Sequence, residues 1–178
     1  MKIVSEITTF LILLAILLMF NQCGQRGPEK EFKPPSEYKE SLIKANQEAV
    51  KEESGQIDDY IRRHNLNMET TSTGIRIMII KHGIGPVSQP GMTVKLSYTM
   101  TLLTGDTVYT ALKDGPLIFE IGKGQVITGL EEAILLLRVG DHAKIIIPSH
   151  LAFGLIGDQK KIRHKASLVY DIEFISMY

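Results

Sequence analysis

A chain of 178 residues with 44% hydrophobic and 22% charged content is long enough for one domain with a real core plus an extra segment, and too apolar to be disordered. Its 20 Lys/Arg balance its 20 Asp/Glu, so it lacks the overall positive field that non-specific nucleic-acid binding requires. The lone cysteine, Cys23, excludes an intrachain disulfide.

The first element in chain order is the apolar run "ITTFLILLAILLMF", residues 7–20, behind Lys2. It falls short of the ~20 residues of a membrane span and has the length of a signal-peptide core. With Cys23 three residues beyond it, the pattern predicts a signal peptide over 1–22, cleavage before Cys23 and acylation of that residue. An uncleaved anchor helix is the alternative. Residues 23–36 then form a lipidated tether, because "GQRGPEKEFKPPS" is too rich in proline, glycine and charge to pack. This start predicts a protein held in the cell envelope through a lipid anchor. No acidic run follows Cys23 to suggest surface export, so it is expected to face the periplasm. A helical extension occupies 37–72: Tyr38, Leu42, Ala45 and Ala49 recur at helical spacing, Gly55 interrupts, and Ile57, Tyr60 and Ile61 carry a second stripe. One broken helix or two short ones over 37–64 would lie against the main domain or pair with a second copy as a homodimer.

From Thr73 the period changes. In "MTVKLSYTMTL", Val94, Leu96, Tyr98, Met100 and Leu102 alternate with polar residues, which predicts a half-buried antiparallel strand. "GIRIMIIKH", "PLIFEIG" (116–122), "AKIIIP" (143–148) and "SLVYDIEFISMY" also read as strands, joined by turn residues such as Thr104-Gly105 and Asp114-Gly115-Pro116. A single helix over 129–138 interrupts them, with Thr128 as its cap and Glu131 reaching back in a capping box. About five or six strands with one helix define an α+β domain over 73–178, the sheet wrapped over the helix.

The stretch "GKGQVITGLEEAILLLRVGD", 122–141, carries two glycines around Lys123. A phosphate loop needs Ser or Thr after the lysine and a β-α-β setting, and a dinucleotide loop needs its third glycine one residue earlier than Gly129. Both fail on spacing. The stretch is instead a loop presenting Val126 and Ile127 at the start of an almost wholly apolar helix that a sheet must cover.

These residues resemble the FKBP-type peptidyl-prolyl cis-trans isomerases. The resemblance covers 73–178 and is carried by the loop-helix "VITGLEE", the turn "IPSHLAFG" and the closing strand "ASLVYDIEF". With the helical prefix and lipoprotein-like start, the chain further resembles envelope lipoproteins of the Bacteroidetes, a type that includes a gliding-motility-associated member. The family implies an FKBP-like antiparallel half-barrel around one short helix, and rotation of X-Pro bonds in an apolar pocket. The planar amide resists rotation by about 18–20 kcal/mol, and its twisted form is less polar, so an apolar, water-poor enclosure favours it without metal or cofactor. Carried over, the pocket comprises Tyr98, Val108, Tyr109, Leu117, Phe119, Val126, Ile127, Leu130, Phe153, Ile162 and Tyr170. Leu130 would be the floor, Tyr98, Leu117, Phe119 and Tyr170 the walls, and the Ile127 N–H the donor to a substrate carbonyl.

Three positions depart from the family pattern. Val108-Tyr109 replaces an aromatic followed by aspartate, Phe153 replaces a tyrosine, and Ile162-Arg163-His164 replaces Ile-Pro-Pro. The hydroxyl lost at Phe153 weakens binding by about 0.5–1.5 kcal/mol. Two readings stand: an isomerase assisting folding of proline-containing exported polypeptides, and a non-catalytic FKBP-like binding or assembly module. The five histidines show no i, i+4 pairing or C-x-x-C companion, which leaves no metal expectation, and Ser149-His150 lacks an acid to orient it as a hydrolase. "DQKKIRHK", 158–165, gathers four Lys/Arg and His164, either as a solvated loop or to steer acidic client segments.

Overall fold

The computed structural model describes residues 36–178, so the signal peptide, Cys23 and the tether up to residue 35 lie outside it. Two compact units divide the chain at Ser41/Leu42; the second, Leu42–Tyr178, contains everything discussed below. Its elements are α1 (Ser36–Arg63, which begins in the first unit), β1 (Glu69–Thr70), β2 (Arg76–Lys81), β3 (Thr93–Leu102), β4 (Thr107–Thr110), α2 (Ala111–Asp114), β5 (Leu117–Glu120), α3 (Thr128–Ile134), β6 (His142–Ile147), a 3₁₀ turn (Ser149–Leu151) and β7 (Leu168–Met177). No described helix is long and apolar enough to cross a membrane.

All seven strands join one antiparallel sheet in the order β1-β2-β6-β7-β3-β4, with β5 also paired to β3. The last strand in sequence is therefore central. The ten-residue β3 shares its outer edge between two partners: Thr93–Leu96 pair with β5, and Thr99–Thr101 with β4. The alternation that predicts β3 is realised, Val94, Leu96, Tyr98 and Met100 being buried. On that face α3 packs through Leu130, Ala133 and Ile134 among Ile145, Ile147, Leu168, Tyr170 and Ile172, which form the main core. Gly129 permits the approach: a Cβ there would lie 2.4 Å from Ile147 Cγ2 and 3.0 Å from Leu151 Cβ.

The run Ile145-Ile146-Ile147 is apolar throughout because both faces of the sheet are covered there. Ile146 and Val169 point away from α3 and bury Ile57 and Tyr60 of α1, with Ile61, Leu66, Met68 and Leu103 around them. Polar contacts fix the same helix. The Glu53 carboxylate accepts the Ser149 N–H (2.6 Å) and the hydroxyls of Ser149 (3.0 Å) and Ser167 (2.6 Å). Arg76, 7% exposed, donates to Asp58 (3.0 Å), Ser54 (3.0 Å) and the Gly74 carbonyl (2.6 Å).

Four local expectations are corrected. Gly55 does not break α1, which runs uninterrupted to Arg63. An exposed glycine costs a helix about 1 kcal/mol relative to alanine, and the anchorage on both sides of it exceeds that. The main-domain helix ends at Ile134 rather than 138. There the backbone tightens, Leu136 N–H bonding Ala133 and Leu137 N–H bonding Ile134, while the buried Ser88 hydroxyl meets the carbonyls of Ile134 and Leu137. Its N-cap is Ile127 with no side-chain bond, so Thr128 forms no capping box; Glu131 instead accepts the Gly124 N–H at 2.9 Å and ties down the preceding loop. That helix is also joined by a second short one, α2, capped by the Thr110 hydroxyl.

Candidate functional site

At the N-terminus of α3 the sheet leaves a cavity of about 380 Å³. Strand β3 supplies Tyr98 and Met100 to it, β4 Tyr109, β5 Leu117 and β7 Tyr170; the loop 124–127 supplies its lip, α3 supplies Leu130, and Phe153 follows the 3₁₀ turn. Eight of the eleven residues expected from sequence thus come together: Tyr98, Tyr109, Leu117, Val126, Ile127, Leu130, Phe153 and Tyr170. Val108, Phe119 and Ile162 do not line this space. All three are buried in the core behind it, 6%, 2% and 3% exposed, because strand alternation turns Val108 away from its neighbour Tyr109 and Phe119 inward from β5. Met100, Gly124 and Gln125 join the lining without having been expected. Met100 was legible as an inward residue of β3, two places after Tyr98.

The cavity is apolar and uncharged. The Tyr98 and Tyr170 rings lie 6.3 Å apart and tilted by 39°. Burial pushes the Tyr170 hydroxyl well above its ordinary range, with the Tyr98 ring adding to it. Burial, then the charge of Asp114, raises Tyr98 as well. Both therefore stay protonated at neutral pH and present dipoles rather than anions. The Ile127 N–H makes no hydrogen bond among the described residues, while its carbonyl accepts from Leu130 (3.0 Å) and Glu131 (3.3 Å). One lip of the cavity thus carries an open backbone donor.

A polar clasp closes the opposite rim. The Tyr109 hydroxyl donates to Asp158 at 2.5 Å, and the other Asp158 oxygen accepts the N–H groups of Lys160, Lys161 and Ile162 at 2.7–2.9 Å. Burial alone would raise this carboxyl; the four hydrogen bonds outweigh it and hold it down at about 2. The same bond, helped by burial, pushes Tyr109 up to about 12. Lys161 Nζ completes the clasp, donating to the Val108 carbonyl at 2.9 Å and sitting 4.5 Å from the centre of the Tyr109 ring. The carboxylate beside position 109 thus comes from the loop, as Asp158. Only the Gly157-Asp158 turn dipeptide hinted at it in sequence, and nothing there announced its partner.

The other candidates resolve into structural roles. Both donors of Ser149 go to Glu53, so it is a tie between loop and helix. His142 meets Asp171 at 2.6 Å beside Lys144 on the sheet surface. Among the described residues no three His, Cys, Asp or Glu side chains gather as a metal site would require.

An antiparallel sheet packed over a short helix, with an aromatic-walled pocket at that helix's start, defines an α+β domain with one apolar binding pocket. The family comparison agrees: residues 85–175 match the FKBP-type peptidyl-prolyl cis-trans isomerase family, and the chain belongs to it. It is 39% identical over 95 residues to peptidyl-prolyl cis-trans isomerase FKBP11 of Bos taurus, covering 52% of this chain and 47% of that one. It is 34% identical over 104 residues to FK506-binding protein 1 of Dictyostelium discoideum, covering 58% and 97%. The crystal structure of AtFKBP13 superposes with a TM-score of 0.60 at 28% identity, over 63% of this chain and 99% of that one. The match thus spans about half the length of the bovine relative and nearly all of the Dictyostelium one.

Proposed function

We propose that this protein is a peptidyl-prolyl cis-trans isomerase that assists the folding of exported polypeptides, anchored in the cell envelope by lipid on Cys23 and facing the periplasm. The observation that carries the catalytic reading is the 380 Å³ apolar cavity with the open Ile127 N–H at its lip. A proline ring enters between Tyr98, Phe153 and Tyr170, above Leu130. The Ile127 N–H takes a substrate carbonyl and fixes one side of the bond. The enclosure strips water from the amide, which disfavours its polar planar form more than its twisted one, and rotation needs no covalent step. The signal-like run and Cys23 support the envelope placement, as does the Bacteroidetes lipoprotein resemblance.

The test uses the Ile127 backbone. Its φ of −61° already suits proline, so Ile127→Pro deletes the donor while keeping the local conformation. The purified protein is expected to accelerate a proline-limited refolding reaction whose uncatalysed phase takes tens to hundreds of seconds. Ile127→Pro is expected to lose most of that acceleration while its circular dichroism stays unchanged. Equal rates for the two proteins would sink the pocket assignment. Phe153, a wall residue without a hydroxyl, favours the second reading of a groove that binds without catalysis. A folded protein that binds a prolyl peptide yet accelerates nothing would establish that reading instead.

A further inference from the structure

A second depression, about 670 Å³, lies beyond the clasp. Its floor is apolar, from Leu102, Leu103 and Val108, and one wall is Lys161, Arg163 and Lys165. Arg163, His164 and Lys165 are exposed and enter no ion pair among the described residues. Four described cations pair with carboxylates, Arg62 with Asp59, Arg76 with Asp58, Lys123 with Glu120 and Lys144 with Asp171, and most of the other described Lys and Arg do not. One carboxylate lines the cleft, Asp106, which accepts the Thr104 hydroxyl at 2.7 Å. Asp158, ionised in the adjoining clasp, offsets a second charge, so three cations, Lys161, Arg163 and Lys165, face two carboxylates. In a chain of zero net charge this leaves a local cationic excess beside the proposed active site.

The two depressions adjoin. Lys161 lines the cleft and lies over the Tyr109 ring that lines the pocket, so β4 and this lysine form the divide between them. A chain leaving the pocket over Tyr109 reaches the cationic wall within a few residues, at about 3.3–3.6 Å per extended residue. The wall is held in place: the clasp fixes its start at Lys161, and at its end the Lys165 N–H donates to the Gly154 carbonyl at 2.8 Å.

We propose that this cleft is an acidic subsite, binding glutamate or aspartate side chains that lie a few residues from the target proline. The inference rests on the isomerase reading for its link to proline, but the cleft's preference for acidic peptide can be measured apart from catalysis. Carboxylates meet Arg163 and Lys165, with Arg163 able to engage one in two parallel bonds, and side-chain methylenes cover Leu102 and Leu103. Acidic clients are thereby captured faster and held longer than neutral ones.

The experiment uses the full chain in a non-ionic detergent and short peptides with a central Leu-Pro bond flanked by glutamates, lysines or serines. A glutamate peptide without proline is added. Binding is followed by fluorescence anisotropy and rotation by NMR exchange. The glutamate peptides are expected to bind about threefold or more tighter than the serine peptide, the gap closing as salt rises. Arg163→Glu with Lys165→Glu should reverse the order of the glutamate and lysine peptides and leave rotation of the serine peptide unchanged. Asp106→Asn, which keeps the acceptor for Thr104, should widen the glutamate preference. Equal binding of glutamate and lysine peptides, or a glutamate preference that survives the charge reversal, overturns the subsite. Serine peptide bound but not rotated would count against the isomerase reading alone, since the proline-free glutamate peptide still scores the cleft.

Discussion

Asp158 shows how a single carboxylate can define a loop. Four hydrogen bonds converge on it, and they hold it ionised down to about 2 against an ordinary value of 3.8. For a depressed carboxyl the stabilisation is complete above the unfolded value and is lost as pH falls through the folded one. Urea unfolding is therefore expected to show Asp158→Asn less stable than the parent at pH 6, with the gap closing between pH 4 and 2. A constant gap over that range would show that the charge is not what the loop uses. Tyr109→Phe is expected to cost about 1 kcal/mol, below the usual range for a bond to a charged group because the pair is half-exposed. At this scale sequence reading is weakest. The phenol and carboxylate are 49 positions apart, and residue types alone cannot say that the chain brings them together.

Elements were more legible, because alternation and helical spacing are local. β3 could be read from period alone, and the almost wholly apolar helix announced that a sheet would cover α3. The misreadings came where tertiary contacts overrode a local signal: Gly55 inside α1, and Glu131 drawn to Gly124 rather than to a cap at Thr128. Gly129 shows what that local view leaves out. Its sequence neighbours do not show that the sheet leaves no room for a side chain there. Gly129→Ala is expected to destabilise the domain by about 1–3 kcal/mol, since Ile147 and Leu151 must move or the helix must lift. Thermal unfolding measures this, and a neutral result would mean that α3 sits further from β6 than described.

For the whole molecule, the helical extension belongs to the domain's stability. Ile57 and Tyr60 form a second core with Ile146 and Val169, and Glu53 satisfies the backbone of Ser149 and the hydroxyls of two nearly buried serines. Glu53→Ala strands those donors and is expected to cost about 1–3 kcal/mol in urea unfolding. A loss below that range would mean water replaces the carboxylate at no cost. The pairing of α1 with the sheet was only one of two options in the sequence, because an apolar stripe does not name what covers it.

The position of β7 has a consequence for biosynthesis. It lies between β6 and β3, and is made after every strand it joins. Until it emerges, β1-β2-β6 and β3-β4-β5 are separate fragments with unfilled edges, and pairings such as Val94 with Met177 wait for almost the whole domain. Contacts of such sequence separation form late. A nascent chain of this design cannot join its two half-sheets until β7, the last strand of the domain, has been made.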